Sequence, residues 1–80
     1  MNSLTSMEYK VLRALLKEKL KTGYDFHSGK NKIMSNSAWN KIRKHLLQEN
    51  LIKIEKEEDY PRKKKFYSLT LWGLLEALAD

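Results

Sequence analysis

The sequence predicts an α+β fold, mainly helical, with three helices, a two-stranded β-hairpin and a short C-terminal helix. Three observations carry this reading. Apolar residues recur at helical spacing near residues 5–21, 35–50 and 70–78. Between the last two of these segments, "LIKIEKE" and "KFYSL" alternate apolar and polar residues at period two. Capping and turn residues stand at the junctions.

The first helix, about residues 5–21, opens on Thr5 with Glu8 three positions on, a capping-box pattern, and Leu4 with Tyr9 stand at the staple positions around it. Val11, Leu12, Leu15, Leu16 and Leu20 supply its apolar stripe. Thr22-Gly23 is the expected stop, with Gly23 free to take a left-handed conformation. Residues 23–34, "GYDFHSGKNKIM", hold two glycines and several weak helix formers, which allow at most a turn or two of helix around 24–28. Tyr24, Phe26 and Ile33 are the expected anchors of this segment to the core.

Ser35 is the expected N-cap of the next helix, with Met34 and Trp39 at staple positions. Trp39, Ile42 and Leu46 share one face, Leu47 lies at its margin, and Asn50, a residue that tolerates left-handed backbone, marks the end. Taking "DYPR" as the following turn places Ile54 opposite Tyr67 and Ile52 opposite Leu69, so that the four share one face. The same register sets Glu57 against Lys64 and Glu58 against Lys63. Thr70 then caps a short helix whose inward stripe is expected to be Leu71, Leu74, Leu75 and Leu78.

Eighty residues make one small domain, and a chain of this length buries only roughly 60–65% of its unfolded surface. A hydrophobic share of 41% and a charged share of 32% fit a globular domain rather than a disordered tail. No apolar run nears the ~20 residues of a membrane span and no signal-peptide pattern opens the chain, so an intracellular, cytoplasmic protein is expected. The absence of cysteine excludes disulfides and Cys-ligated zinc. The two histidines, His27 and His45, have no metal-ligand spacing, and there is no phosphate loop or nucleophile motif, so no enzyme activity, cofactor or small-molecule ligand is expected. Glu57, Glu58 and Asp59 cluster at a hairpin tip, where solvated charge explains them. His45 is expected on the exposed side of its helix.

Net charge is +6, and its distribution is uneven. Residues 26–48 contain no acidic side chain but include Lys30, Lys32, Lys41, Arg43 and Lys44; after an acidic stretch, Arg62, Lys63, Lys64 and Lys65 follow in succession. Two separate basic blocks point to a polyanion, with nucleic acid the first candidate. Wound at 100° per residue, the 35–50 helix carries Ser37, Lys41, Lys44 and Gln48 opposite its apolar face, with Asn40 on the flank and Ser35 and Asn36 at its start. This polar, acid-free set suits a helix in the major groove, where Asn and Gln can read adenine and Lys can read guanine or hold phosphate.

"LLQENLIKIEKE" followed by "RKKKFYSLTLWGLLEAL", with "TGYDF" after the first helix, resembles the winged helix-turn-helix family, particularly small regulators of the PadR and MarR type. The resemblance spans nearly the whole chain. It implies that the helix bearing Ser37, Asn40, Lys41 and Lys44 enters the major groove while Arg62 to Lys65, on the wing, meet the adjacent backbone or minor groove. It also implies a homodimer on two half-sites of double-stranded DNA. Trp72 falls off the leucine stripe of the last helix and is the candidate dimer contact. Two other functions fit the same pattern: a winged-helix protein-interaction module, for which Trp72 and Phe66 would form an exposed apolar patch, and an RNA-binding protein, which would expose stacking aromatics.

Overall fold

The computed structural model describes residues 4–30 and 32–79. The elements run α1 (Ser6–Lys17), β1 (Lys21–Thr22), α2 (Gly23–His27), α3 (Asn36–Gln48), β2 (Ile52–Glu58), β3 (Lys64–Leu69) and α4 (Leu71–Leu78). The chain is thus a small α+β domain with four helices and a three-stranded antiparallel sheet in the order β1-β3-β2.

The capping box of α1 forms as the sequence predicts: Thr5 N donates to Glu8 Oε1 at 2.8 Å and Glu8 N donates to Thr5 Oγ1 at 3.2 Å. The helix stops at Lys17, however, four residues before its expected end. Residues 21 and 22 are drawn instead into the sheet, Lys21 pairing with Tyr67 and Thr22 with Phe66 on an edge of β3 that β2 leaves open. Val11, Leu12 and Leu15 are buried, whereas Leu16 and Leu20 are 38% and 39% exposed, because the chain turns away before the fifth stripe position can pack. Thr22 doubles as the N-cap of α2, in a second capping box closed by Asp25. Gly23 does not adopt left-handed backbone; it opens α2, where a Cβ would lie 2.5 Å from Trp39 Nε1. Its lack of a side chain admits the indole. Of the three expected anchors in this segment only Phe26 is buried; the five-residue α2 turns it alone fully inward and leaves Tyr24 exposed, and Ile33, beyond the helix, is exposed as well.

An aromatic row holds the centre of the core. Phe26 stacks on Trp39 with ring centroids 4.8 Å apart, and Tyr67 meets Trp39 edge-on at 5.5 Å. The row joins α2, α3 and β3, and aromatic pairs of this kind contribute about 0.5–1.5 kcal/mol beyond the area they bury. Leu12, Leu15, Leu46, Leu51 and Ile52 complete the core around it.

The hairpin keeps the expected pairs Ile52 with Leu69 and Ile54 with Tyr67, but its outer register differs. An irregularity between Ile54 and Lys56 leaves Glu55 as an extra residue, so Glu57 pairs with Lys65 and Glu58 with Lys64, one position from the expected alignment. Glu55 is held there by Ser68 Oγ at 2.9 Å and lies 3.5 Å from Lys53 Nζ; the serine first, then the lysine, lower its carboxyl below the ordinary range. The connecting loop is residues 59–63.

The largest departure is α4. Thr70 caps it, its Oγ1 accepting from Gly73 N at 3.0 Å and donating to Asn50 O at 2.6 Å. The face turned inward is Gly73 and Ala77, with Leu74 half-buried beside them, while Leu71, Leu75 and Leu78 point outward. The reason is steric. At Gly73 the helix approaches so closely that a Cβ would stand 1.8 Å from Leu51 O, and only a small side chain fits. Among the described residues, no helix is long and apolar enough to cross a membrane.

Candidate nucleic-acid interface

The orientation of α3 is fixed at both ends. Ser35 caps the first turn, its Oγ accepting from Ala38 N at 3.2 Å, with Met34 and Trp39 buried on either side of it. At the other end Asn50 takes φ 59°, the left-handed value expected of it, and Leu51 N donates to Leu46 O at 2.9 Å. Trp39 and Leu46 face the core, with Ile42 and Leu47 packed against it. The opposite face is therefore solvent-facing, and Ser35, Asn36, Ser37, Asn40, Lys41, Lys44 and Gln48 are all exposed. Arg43 Nη2 donates to Asn40 Oδ1 at 3.4 Å, a long contact that leaves the Asn40 amide NH2 unengaged by it.

His45 is partly on the exposed side, its side chain 40% exposed, and it also reaches back to α1. Its Nδ1 hydrogen-bonds Glu8 Oε2, and Glu8 is only 4% exposed, so this pair bolts α3 to α1. Burial pushes the Glu8 carboxyl up, but the backbone amide of Thr5 and the His45 ring outweigh it and hold the group below its ordinary value. The hydrogen bond to Glu8 raises His45, with the charges of Glu8 and Glu49 adding to it. No local pattern could have revealed this pair, whose members lie 37 positions apart. Arg43, one of the basic residues of this segment, is also not wholly on the outer face. Burial pushes the Tyr67 hydroxyl up in pKa while the neighbouring Arg43 guanidinium draws it partly back, an interaction that links α3 to β3.

The second basic block divides in two. Arg62 and Lys63 lie in the hairpin loop; Lys64 and Lys65 are already in β3, across from Glu58 and Glu57. The expected picture of four cations on one projecting tip is corrected accordingly, since the tip belongs to residues 59–63. All four remain exposed. Glu58 is engaged by Lys56 at 2.9 Å, which lowers its carboxyl, and Lys56 Nζ also sits 5.3 Å from the centre of the Phe66 ring.

These cations border two clefts shared with α2. One of about 310 Å³ is lined by Thr22, Gly23, Tyr24, His27, Tyr67 and Lys63 to Lys65. The other, about 520 Å³, lies between Thr22, Tyr24, Asp25 and the Pro61–Lys64 segment, with Phe66 at its floor. Tyr24, 58% exposed, and His27 thus join the basic segment, and sequence reasoning missed both. Their position depends on the β1–β3 pairing, for which a two-residue strand gives no periodic signal. The helix α3 and strand β3 are tied through the core aromatics Trp39 and Tyr67. Trp72 stands elsewhere, on α4, 58% exposed beside Glu49, Asn50 and Glu76. Among the described residues no group of three or more His, Cys, Asp or Glu side chains is arranged to hold a metal.

Comparisons with protein-family models, with curated proteins and with solved structures give no match for this chain.

Proposed function

We propose that the protein binds double-stranded DNA as a winged helix-turn-helix domain and acts as a small, non-enzymatic transcriptional regulator in the cytoplasm. The observation that carries this reading is the outer face of α3, which presents Ser37, Asn40, Lys41, Lys44 and Gln48 to solvent without one acidic residue in the helix. A helix of 13 residues is about 20 Å long, and the major groove, about 12 Å wide, admits it. Base edges would be read by Asn40 and Lys41, while Ser35, Asn36 and Ser37 at the start of α3 and Lys44 with Gln48 along it meet bases or phosphates. Arg62 to Lys65, now joined by Tyr24 and His27, would lie on the adjacent backbone or minor groove. The succession of α1, β1, α2 and α3 followed by a hairpin is compatible with this architecture.

A mobility-shift experiment with duplex DNA, single-stranded RNA and heparin tests it. A duplex complex that survives heparin supports the proposal; equal competition by all three polyanions would reduce it to non-specific charge. RNA binding is the reading favoured by exposed Tyr24 and Tyr60, the latter 89% exposed, and preferential retention of the single strand would support that instead. A protein-interaction module is favoured by the apolar outer face of α4.

A further inference from the structure

α1 packs against α4, and a groove of about 580 Å³ lies between the end of α1, the start of α4 and the hairpin. Its lining is of two chemistries. Leu15, Leu16, Leu20, Leu69, Leu71 and Leu74 supply the apolar part. Lys19, from the turn after α1, and Lys53, Glu55 and Ser68, from the hairpin, supply the polar part. Leu16, Leu20 and Leu71 are 38%, 39% and 66% exposed, so the groove is open to solvent rather than enclosed.

We propose that this groove docks an acidic amphipathic α-helix of another protein, its apolar stripe covering the leucines and its carboxylates meeting Lys19 and Lys53. Three features select that occupant. The first is openness. Pockets for small molecules, about 300–1,000 Å³, bury about 70–90% of the ligand's surface; this groove has the volume without the enclosure. A helix laid in a groove needs only one of its faces covered.

The second is the polar lining. Glu55 accepts from Ser68 Oγ at 2.9 Å and lies 3.5 Å from Lys53 Nζ, so its charge is already answered within the protein. Lys19 makes no ion pair among the described residues, and the charge left over in the groove is positive. Bilayer hydrocarbon would strip water from Lys19, Lys53 and Glu55 without replacing its hydrogen bonds. An amphipathic helix meets the leucines and the cations together.

The third is the charge of the chain's own helices, which excludes a second copy. α1 exposes Lys10, Arg13 and Lys17 and buries Glu8; α3 has no acid. Asp25 of the five-residue α2 is held in its capping box, and α4 carries Glu76 alone. None of these offers an apolar stripe flanked by carboxylates. A chain of +6 would instead attract an acidic partner over distance. No residue of the groove belongs to the surfaces assigned to DNA, so the proposal stands independently of that reading.

The probe is a synthetic helical peptide of about 18 residues, with leucine at i, i+3, i+4 and i+7 and glutamate on both flanks. A second peptide has lysine in place of every glutamate. Fluorescence anisotropy near physiological salt measures affinity, and the amide NMR spectrum of the labelled protein maps the contact. The acidic peptide is expected to bind saturably and at least about tenfold more tightly than the basic one. It should shift the amides of Leu16, Leu20, Lys53 and Leu71 and leave those of Ser37, Asn40 and Lys41 in place. Lys19→Glu combined with Lys53→Glu should weaken it by about tenfold, each reversal replacing an attraction with a repulsion. Leu71→Glu should weaken it as much; an acid in the first turn of α4 suits the helix dipole, so the dichroism of the fold is expected to persist. Absence of saturable binding, equal binding of the two peptides, or shifts confined to α3 and the hairpin loop overturns the proposal. Folded variants that keep wild-type affinity overturn it too, as does a wild type that sediments as a pair which Leu71→Glu dissociates, since the groove's occupant is then a second copy.

Discussion

Gly73 and the Glu8–His45 pair show how single residues decide the packing of whole helices here. Alanine in place of a mid-helix glycine ordinarily stabilises by about 1 kcal/mol. At Gly73 the added Cβ would meet Leu51 O at 1.8 Å and Leu51 C at 2.9 Å, backbone atoms that cannot swing aside. Overpacking of this kind costs typically about 1–3 kcal/mol and more where backbone must move. The clash outweighs the propensity gain, so Gly73→Ala is expected to lower the chemical-denaturation midpoint, while the same change at an exposed helical position would raise it. At Glu8 and His45 the prediction concerns pH. His45 is raised above 6.5, so its contribution is complete below about that pH and is lost as pH rises through the folded-state value. Glu8 is lowered below 4.5, so its contribution is present above about that pH and is lost as pH falls through its folded-state value. The stability difference between wild type and His45→Gln should therefore be greatest between about pH 4.5 and 6.5 and shrink toward pH 9. A difference that stays constant across that range would show that the pair is merely a packing contact.

At the scale of elements, local chemistry made the helix caps and the inner hairpin legible, and non-local chemistry hid the rest. Thr5, Ser35 and Thr70 cap the helices expected of them, and Asn50 takes the left-handed turn, because each needs only its immediate neighbours. Ile52 with Leu69 and Ile54 with Tyr67 followed from period two, but the bulge at Glu55 breaks that period and moved every outer pair. β1 exists only because β3 offers an edge, and α4 was read inside out because an apolar stripe marks either a core or an interface. The candidate site was legible in part: α3's exposed face was, but Tyr24 and His27 needed the β1–β3 contact to reach the basic segment. The division of labour between α3 and the hairpin is testable by binding to cognate and random duplexes. Asn40→Ala and Lys41→Ala are expected to reduce discrimination by roughly 1–3 kcal/mol per lost base contact. Lys63→Ala should weaken both duplexes about equally, being loop-borne and free of a cross-strand acid, whereas Lys65→Ala should matter less because Glu57 stands opposite it. A hairpin variant that altered cognate affinity alone would reverse these roles.

For the molecule as a whole, the arrangement of charge matters more than its sum. The cations of the two candidate contact surfaces lie on α3 and on the hairpin segment, the acids Glu55, Glu57 and Glu58 are confined to β2, and α4 is nearly neutral. Exposed cations also lie on α1 (Lys10, Arg13, Lys17), and what sets α3 apart is that no acid shares the helix. Binding to duplex DNA is expected to fall steeply with salt, with a slope of about −0.9 in log K against log salt for each phosphate neutralised. Lys41, Lys44, Arg62 and Lys63 have no cross-strand acid, whereas Lys64 and Lys65 do. If those four each meet a phosphate, the slope is roughly −3 to −4 per copy, and a two-fold pair bound across two half-sites would double it. Measured over low to physiological salt, a slope near zero would remove nucleic acid as the partner. A slope near the single-copy value on a duplex long enough for two copies would show that one copy binds there alone. Removing Arg62 and Lys63 together should flatten the slope by about two contacts' worth, and an unchanged slope would place the hairpin away from the phosphates.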